Sequence, residues 1–346
     1  MIPGHMSGVL LTAHGGPEVL VWSDRIPVPR PGVGEVLVQV LAAGVNATDI
    51  NTRIGWYAKA ETPKAGGWAG VIAFPRIQGS DLCGRVVALG DGVGGLPLGA
   101  RVICPTNQAE PTPDNPLAFR SIGSEFDGAF AGFCLVKAAH LYDVSASMLS
   151  DIEIGAMPCA YGTAFNLLSR AAVVPGDRVL VTGASGGVGL AAVQLALLRG
   201  ASVTGQCSAA KAGAVRAAGA MVVDRDVAPG PRSFDVVIDV VGGDGWQARL
   251  DALRSGGRYA VSGAIAGPLV SGDLRTIYLN DLTLHGCTHQ SPEVFAGLVT
   301  LINRGQLRPM VAKVYPLSAV AQAQADLVAG RFAGKLVLVS TETAHG

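Results

Sequence analysis

The chain has 346 residues, enough for two domains that each bury a core of their own. Hydrophobic residues make up 49% and charged residues only 15%, which excludes a largely disordered chain. Lys plus Arg and Asp plus Glu stand at 26 each, so the expected partner is a small molecule, with no electrostatic call on nucleic acid or an acidic membrane.

Six cysteines, Cys83, Cys104, Cys134, Cys159, Cys207 and Cys287, lie far apart without a CxxC pair. No disulfide framework or zinc knuckle is legible, and a reducing cytoplasm is the simplest expected setting. The apolar run over 188–198 is too short to span a bilayer, and no signal peptide is read at the start.

In chain order, residues 1–150 read as strands and turns. The alternation over 34–41 has period two, and 84–92 is a strand running into a glycine turn. Two long irregular stretches, 58–74 and 105–127, have the length of functional covers. From about 151 the pattern becomes strand, helix, strand, helix, as in a doubly wound parallel sheet. Strands are expected over 179–182, 202–206, 222–224, 236–239, 258–262 and 282–285, and helices over 188–198 and 209–217. A further helix over 292–303 closes at Gly305, and residues 335–339 form the last strand.

The run Gly183-Ala184-Ser185-Gly186-Gly187-Val188-Gly189 joins the first of these strands to a helix. Glycines there allow a tight turn and close backbone approach, and free N–H groups at the helix start suit the pyrophosphate of a dinucleotide. The next strand ends in Gln206-Cys207-Ser208-Ala-Ala-Lys211, without the acid that receives the ribose 2′-hydroxyl of NAD. A hydroxyl and an ammonium suit the extra phosphate of NADP. The alternative is a helix-capping Ser208 and a solvated Lys211.

With Gly44-Val-Asn46-Ala-Thr-Asp49, Tyr57, Gly79-Ser80-Asp81, Ala160-Tyr-Gly-Thr163 and Asp239-Val-Val241-Gly242 added to the loop, the chain resembles the medium-chain dehydrogenase/reductase superfamily, in its zinc-free quinone oxidoreductase and enoyl reductase branch. The resemblance implies an α/β protein: a GroES-like, mostly-β catalytic domain over 1–150, a Rossmann doubly wound parallel sheet over 151–290, and a C-terminal return to the catalytic domain over 291–346. The active site would lie in the cleft between the domains. The cofactor implied is NADPH, held by Thr163, the loop from Gly183 to Gly189, Ser208, Lys211, Val241, Ser262, Gly263, Ala264, Cys287, Thr288 and Lys335, although a surface salt bridge explains Lys335 equally well.

Zinc-dependent relatives carry cysteine at Asn46 and histidine at Ser80, so no metal is expected; an amide and a hydroxyl do not supply the thiolate and imidazole that zinc prefers. The triplet His285, Cys287, His289 is read as packing around the last sheet strand. Tyr57 and Asn46 are the candidate catalytic residues, Tyr57 as proton donor or enolate partner and Asn46 bonding substrate or nicotinamide ribose. A turn tyrosine and a turn asparagine are the alternatives. The expected reaction is reduction of a quinone or an activated, enone-type alkene. A 2-enoyl-thioester reductase, whose acyl carrier would need cations such as Arg53, Lys59 and Lys64, is one alternative, and a non-catalytic NADPH-binding sensor is another. The segment 58–78 is longer than in compact quinone reductases and is expected to shape the substrate pocket. A homodimer through the edge strand near 282–287 is expected as well.

Overall fold

The computed structural model describes residues 2–58 and 66–340. The chain divides into two compact units, one formed by Met1–Cys159 with His289–Gly346 and the other by Ala160–Thr288.

The first unit is organised around the strand Glu35–Val45, eleven residues rich in valine and alanine. It pairs antiparallel with Cys83–Leu89, with Phe133–Lys137 and, through its last residues, with the C-terminal strand Lys335–Val339. The expected half-buried alternation is not what forms. Val36, Leu37 and Val38 are all buried, because both faces are covered. Val36, Val38 and Val40 join a large cluster with Leu82, Phe130 and Leu336, while Ala42 packs with Ala156 and Val337. Each such valine or leucine contributes about 1.5–3 kcal/mol on leaving water.

Two sequence expectations change in this unit. The helix Asp151–Gly155, assigned from sequence to the start of the Rossmann domain, belongs here, because Gly155 lies so close to Ala42 that a Cβ on it would come within 2.7 Å of the Ala42 Cβ. Its start is fixed by a reciprocal cap in which the Glu153 N–H donates to Ser150 Oγ and the Ser150 N–H to Glu153 Oε2. The stretch 105–127 contains a two-stranded hairpin, Asn107–Ala109 with Phe119–Ser121. A strand also begins at His5, pairing His5–Leu11 with Leu20–Pro27.

In the second unit six parallel strands lie in the order Met221–Asp224, Ser202–Cys207, Arg178–Val181, Phe234–Asp239, Leu253–Val261, Thr283–Gly286. Chain order reverses between Arg178–Val181 and Phe234–Asp239, which is the switch point where such sheets take ligands at their carboxyl ends. Phe234–Asp239 is buried along its whole length, as a central parallel strand should be. The helix expected over 209–217 splits into a 3-10 turn, Ala209–Lys211, and an α-helix, Ala212–Ala217. Among the described residues no helix is long and apolar enough to cross a membrane.

Candidate active site

Apart from Thr163, the second unit carries its sequence-predicted residues at the carboxyl ends of its strands. Gly183 leaves Arg178–Val181 with φ of 56°, a conformation that favours glycine. Gly189 faces back onto the same turn, and a Cβ on it would lie 2.2 Å from the Gly183 carbonyl oxygen. Gly186 caps the helix Gly187–Leu198, and the Leu190 N–H bonds back to the Gly186 carbonyl at 2.9 Å. The amides of Gly187, Val188 and Gly189 precede that bond and have no intrahelical partner. Ala184 is held by its own N–H to the Gln206 carbonyl, which fixes the loop to the neighbouring strand, and Ser185 is buried beside it.

Ser208 precedes the turn Ala209–Lys211, yet its hydroxyl makes no capping hydrogen bond. Lys211 is half-buried and forms no ion pair among the described residues. The capping alternative for Ser208 is therefore not realised.

Asp239 is fully buried and organises the next edge. It accepts from Thr182 Oγ1 at 2.6 Å, Val241 N–H at 2.8 Å, Gly242 N–H at 3.2 Å and Arg249 Nη1 at 3.0 Å, and from the Tyr259 hydroxyl at 2.5 Å. Burial and this carboxylate push the Tyr259 phenol up, so it stays a donor. The same turn is closed by Ser262 N–H on the Asp239 carbonyl and Ala266 N–H on the Val241 carbonyl, which places Ser262, Gly263 and Ala264 beside Val241. Cys287 is buried, with its N–H on the Val261 carbonyl, and exposed Thr288 follows it. Thr163 lies on the helix Pro158–Arg170, buried. Of the triplet, His285 is on the edge strand, Cys287 lies beyond it, and His289 belongs to the other unit.

The first unit holds a second polar cluster. Register continues from Leu336↔Val45 to bring Lys335 beside Asn46. The Lys335 ammonium donates to Asn46 Oδ1, to the Val45 carbonyl at 3.1 Å and to Asp81 Oδ2 at 3.0 Å, and it is only 4% exposed. The surface-salt-bridge reading of Lys335 fails on that burial. Nδ2 of Asn46 donates to Asp81 Oδ2 at 2.8 Å and to Ser80 Oγ at 3.1 Å. Both ends of the amide that sequence reading gave to substrate or nicotinamide ribose have protein partners here. Gly44 leaves room for the cluster, since a Cβ there would come 2.3 Å from Asp81 Oδ2.

Asp49, Thr48 and Cys159 complete this cluster, and sequence reading gave none of them a role. Asp49 receives the Asn46 N–H at 2.8 Å and the Ser80 N–H at 3.1 Å. The capping-box spacing of Asn46 and Asp49 is the signal that points to it. Thr48 and Cys159 carry no such local signal. Asp81 Oδ1 takes the Cys159 N–H at 2.5 Å, and burial with Asp81 nearby pushes the Cys159 thiol up to about 12. Tyr57 is half-buried, its hydroxyl 3.0 Å from Thr48 Oγ1, and burial raises its pKa above the ordinary phenol value.

Burial, reinforced by Asp81, pushes Asp49 up to about 7 against the pull of its two N–H bonds. A carboxyl raised on folding makes the folded chain hold more protons than the unfolded one between about pH 4 and 7. Its contribution to stability is present below that window and lost as pH rises through 7. The urea midpoint should therefore fall between pH 5 and 8, and Asp49→Asn should flatten that slope; an unchanged slope counts against it.

Arg53, one of the three cations considered for an acyl-carrier entrance, is buried, with Nε on Gln324 Oε1 and Nη1 on the Gly15 carbonyl, both at 2.8 Å. Lys59 and Lys64 lie outside the described residues.

Residues 32–146 match a family described as alcohol dehydrogenase GroES-like domain, and 216–338 one described as zinc-binding dehydrogenase. The solved structure of a Sinorhizobium meliloti protein classed as an alcohol dehydrogenase is 41% identical with a TM-score of 0.90, over 98% of each chain. The chain belongs to the medium-chain dehydrogenase/reductase superfamily. Within that superfamily it is similar to the mouse quinone oxidoreductase, 29% identical over 96% of this chain and 98% of that one. It is also similar to a 2-octenoyl-CoA carboxylase reductase solved with NADP and 2-octenoyl-CoA, at 25% identity and a TM-score of 0.87, over 100% of this chain and 90% of that one.

Proposed function

We propose that this medium-chain dehydrogenase/reductase is a zinc-independent, NADPH-dependent reductase of quinones and activated alkenes. The observation that carries the reading is the buried Lys335 ammonium, held by Asn46, Asp81 and the Val45 carbonyl. A metal ion would have to share Asp81 with a cation already in place, and its other neighbours there are an amide and a hydroxyl. The names of the quinone oxidoreductase and octenoyl-CoA reductase relatives support the reaction class.

The second unit fits a dinucleotide. The amides of Gly187, Val188 and Gly189 and the Cβ-free approach at Gly183 and Gly189 suit a pyrophosphate, and Val241, Ser262, Gly263, Ala264, Cys287, Thr288 and Thr163 would hold the rest. When bound, NADPH supplies the hydride, which goes to the β-carbon of an enone or to a quinone ring. Tyr57 would donate a hydrogen bond to the substrate oxygen as negative charge builds there, since its raised pKa keeps the proton on the phenol. Thr48 holds that hydroxyl in place. The proton that completes the product comes through the phenol or from water.

NADPH oxidation measured with a quinone, an enone and a saturated ketone tests this reading. Turnover on the first two, insensitive to chelators, is expected; chelator-sensitive turnover on the saturated ketone alone would overturn it. For the cofactor, Ser208→Ala with Lys211→Ala should raise KM for NADPH by about 10- to 100-fold, the worth of charge-assisted bonds to a phosphate, and leave KM for NADH unchanged. Equal effects on both cofactors would refute the assignment.

The octenoyl-CoA relative favours a second reading, an enoyl-thioester reductase. Arg53 is not free to serve it. The outer edge of Thr283–Gly286 has no partner strand among the described residues, and Leu284 on it is exposed. We propose a homodimer through that edge; light scattering that returns a monomer rejects it.

A further inference from the structure

The described part of the long segment after Tyr57, residues 66–74, is fastened to the first unit at several points. The Trp68 N–H donates to Ser124 Oγ at 3.0 Å and the Ala69 N–H to Glu125 Oε1 at 2.9 Å. Glu125 also takes the Ser121 N–H at 2.7 Å and the Ser124 hydroxyl at 2.8 Å, so one carboxylate ties the segment to the turn after the hairpin strand Phe119–Ser121. Gly66 lies against His14, where a Cβ would come 2.0 Å from Nε2, and Phe74 meets the same ring edge-on at 4.9 Å.

That anchoring sets Trp68 parallel to Tyr57, with ring centroids 5.8 Å apart and planes 4° from parallel. The geometry is offset stacking, too close to admit a third ring, so the indole bears on the phenol itself. Phe119 meets Trp68 edge-on at 6.4 Å, and Trp56 meets Tyr57 edge-on at 5.3 Å. Four aromatic rings gather here in a chain that is only 5% aromatic, and the Tyr57 hydroxyl is tied to Thr48.

We propose that Trp68 is a positioning and specificity-determining residue: it fixes the ring of Tyr57 and, with Trp56 and Phe119, forms an aromatic wall that selects flat conjugated substrates over aliphatic enoyl chains. This rests on Tyr57 being the group that meets the substrate. The phenol has few torsions, and with its hydroxyl on Thr48 and its face on Trp68 both of its ends are defined. Loss of the indole frees the face and removes apolar wall, so binding of an aryl substrate and turnover of every substrate should both suffer.

The experiment compares 4-phenyl-3-buten-2-one, 1,4-naphthoquinone and 2-hexenal, with NADPH binding and thermal unfolding followed in parallel. Trp68→Ala should raise KM for the aryl enone and the naphthoquinone by about 10-fold and change KM for 2-hexenal by less than about 2-fold, a ratio in the range of apolar pocket changes. It should also lower kcat on all three while the NADPH dissociation constant stays constant. Trp68→Phe should restore the aryl preference, and Glu125→Gln, which removes one of the two anchoring oxygens, should weaken it. Trp68→Leu carries the same expectation as Trp68→Ala if the latter folds poorly. A lowered unfolding temperature with an unchanged ratio of aryl to aliphatic KM would mean a merely structural tryptophan and would overturn the proposal. Full turnover by Tyr57→Phe on every substrate would instead remove the reading beneath it. Lost turnover in Tyr57→Phe beside a wild-type ratio in Trp68→Ala would sink this inference alone.

Discussion

Tyr57→Phe is expected to lower kcat by at least about 100-fold on quinone and enone alike, the low end of what a positioned acid contributes. The substitution removes only the hydroxyl, which sits 3.0 Å from Thr48 Oγ1, and leaves the ring stacked on Trp68. Folding and the NADPH dissociation constant should therefore stay as they are, since the loop proposed to hold the cofactor is the separate run Gly183 to Gly189. The loss should appear in kcat more than in KM, because the hydrogen bond strengthens only as charge develops on the substrate oxygen. Steady-state kinetics with each substrate checks it, and wild-type kcat in the variant would remove Tyr57 from the chemistry.

The second large effect is on stability. Lys335→Met should cost about 3–5 kcal/mol, the range for breaking a buried ion pair by removing one partner. Asp81 is completely buried and would keep the Asn46 amide and the Cys159 N–H while losing the cation that pairs with it, and Asn46 Oδ1 would lose the Lys335 donor. For a protein of 346 residues that is a fall of roughly 4–7 °C in unfolding temperature. Lys335→Met combined with Asp81→Asn should recover part of the loss, because the neutral pair leaves no buried charge unmatched. Calorimetry of the two variants decides it. A Lys335→Met protein as stable as wild type would show that the ammonium is not needed to hold the cluster.

The glycine turn from Gly183 to Gly189 was legible because its information is local. Gly183 needs its positive φ, and Gly189 needs space within 2.2 Å of the Gly183 carbonyl, so a run of seven residues specifies the turn whatever surrounds it. The helix Pro292–Asn303 and the strand Lys335–Val339 were legible for the same reason. Ser291 and Pro292 mark the helix start and Gly305 its exit, and an apolar run ends the chain's last strand. By contrast, the short helix Asp151–Gly155 carries a clear cap but nothing in its sequence says which unit it packs on; the close approach of Gly155 to Ala42 decided that.

The sequence by itself determined a two-part α/β chain with a glycine-rich turn from strand to helix, a second strand without an acid, and an amide and a hydroxyl at Asn46 and Ser80. Backbone turns, strand periodicity and residue chemistry are properties of a few neighbouring positions. Only the tertiary structure decided that Lys335 reaches across 289 positions to Asn46, that Arg53 is buried against Gln324, and that Trp68 stacks on Tyr57. Those pairings follow from strand register and from how separate segments pack, and no local window of the chain holds that information.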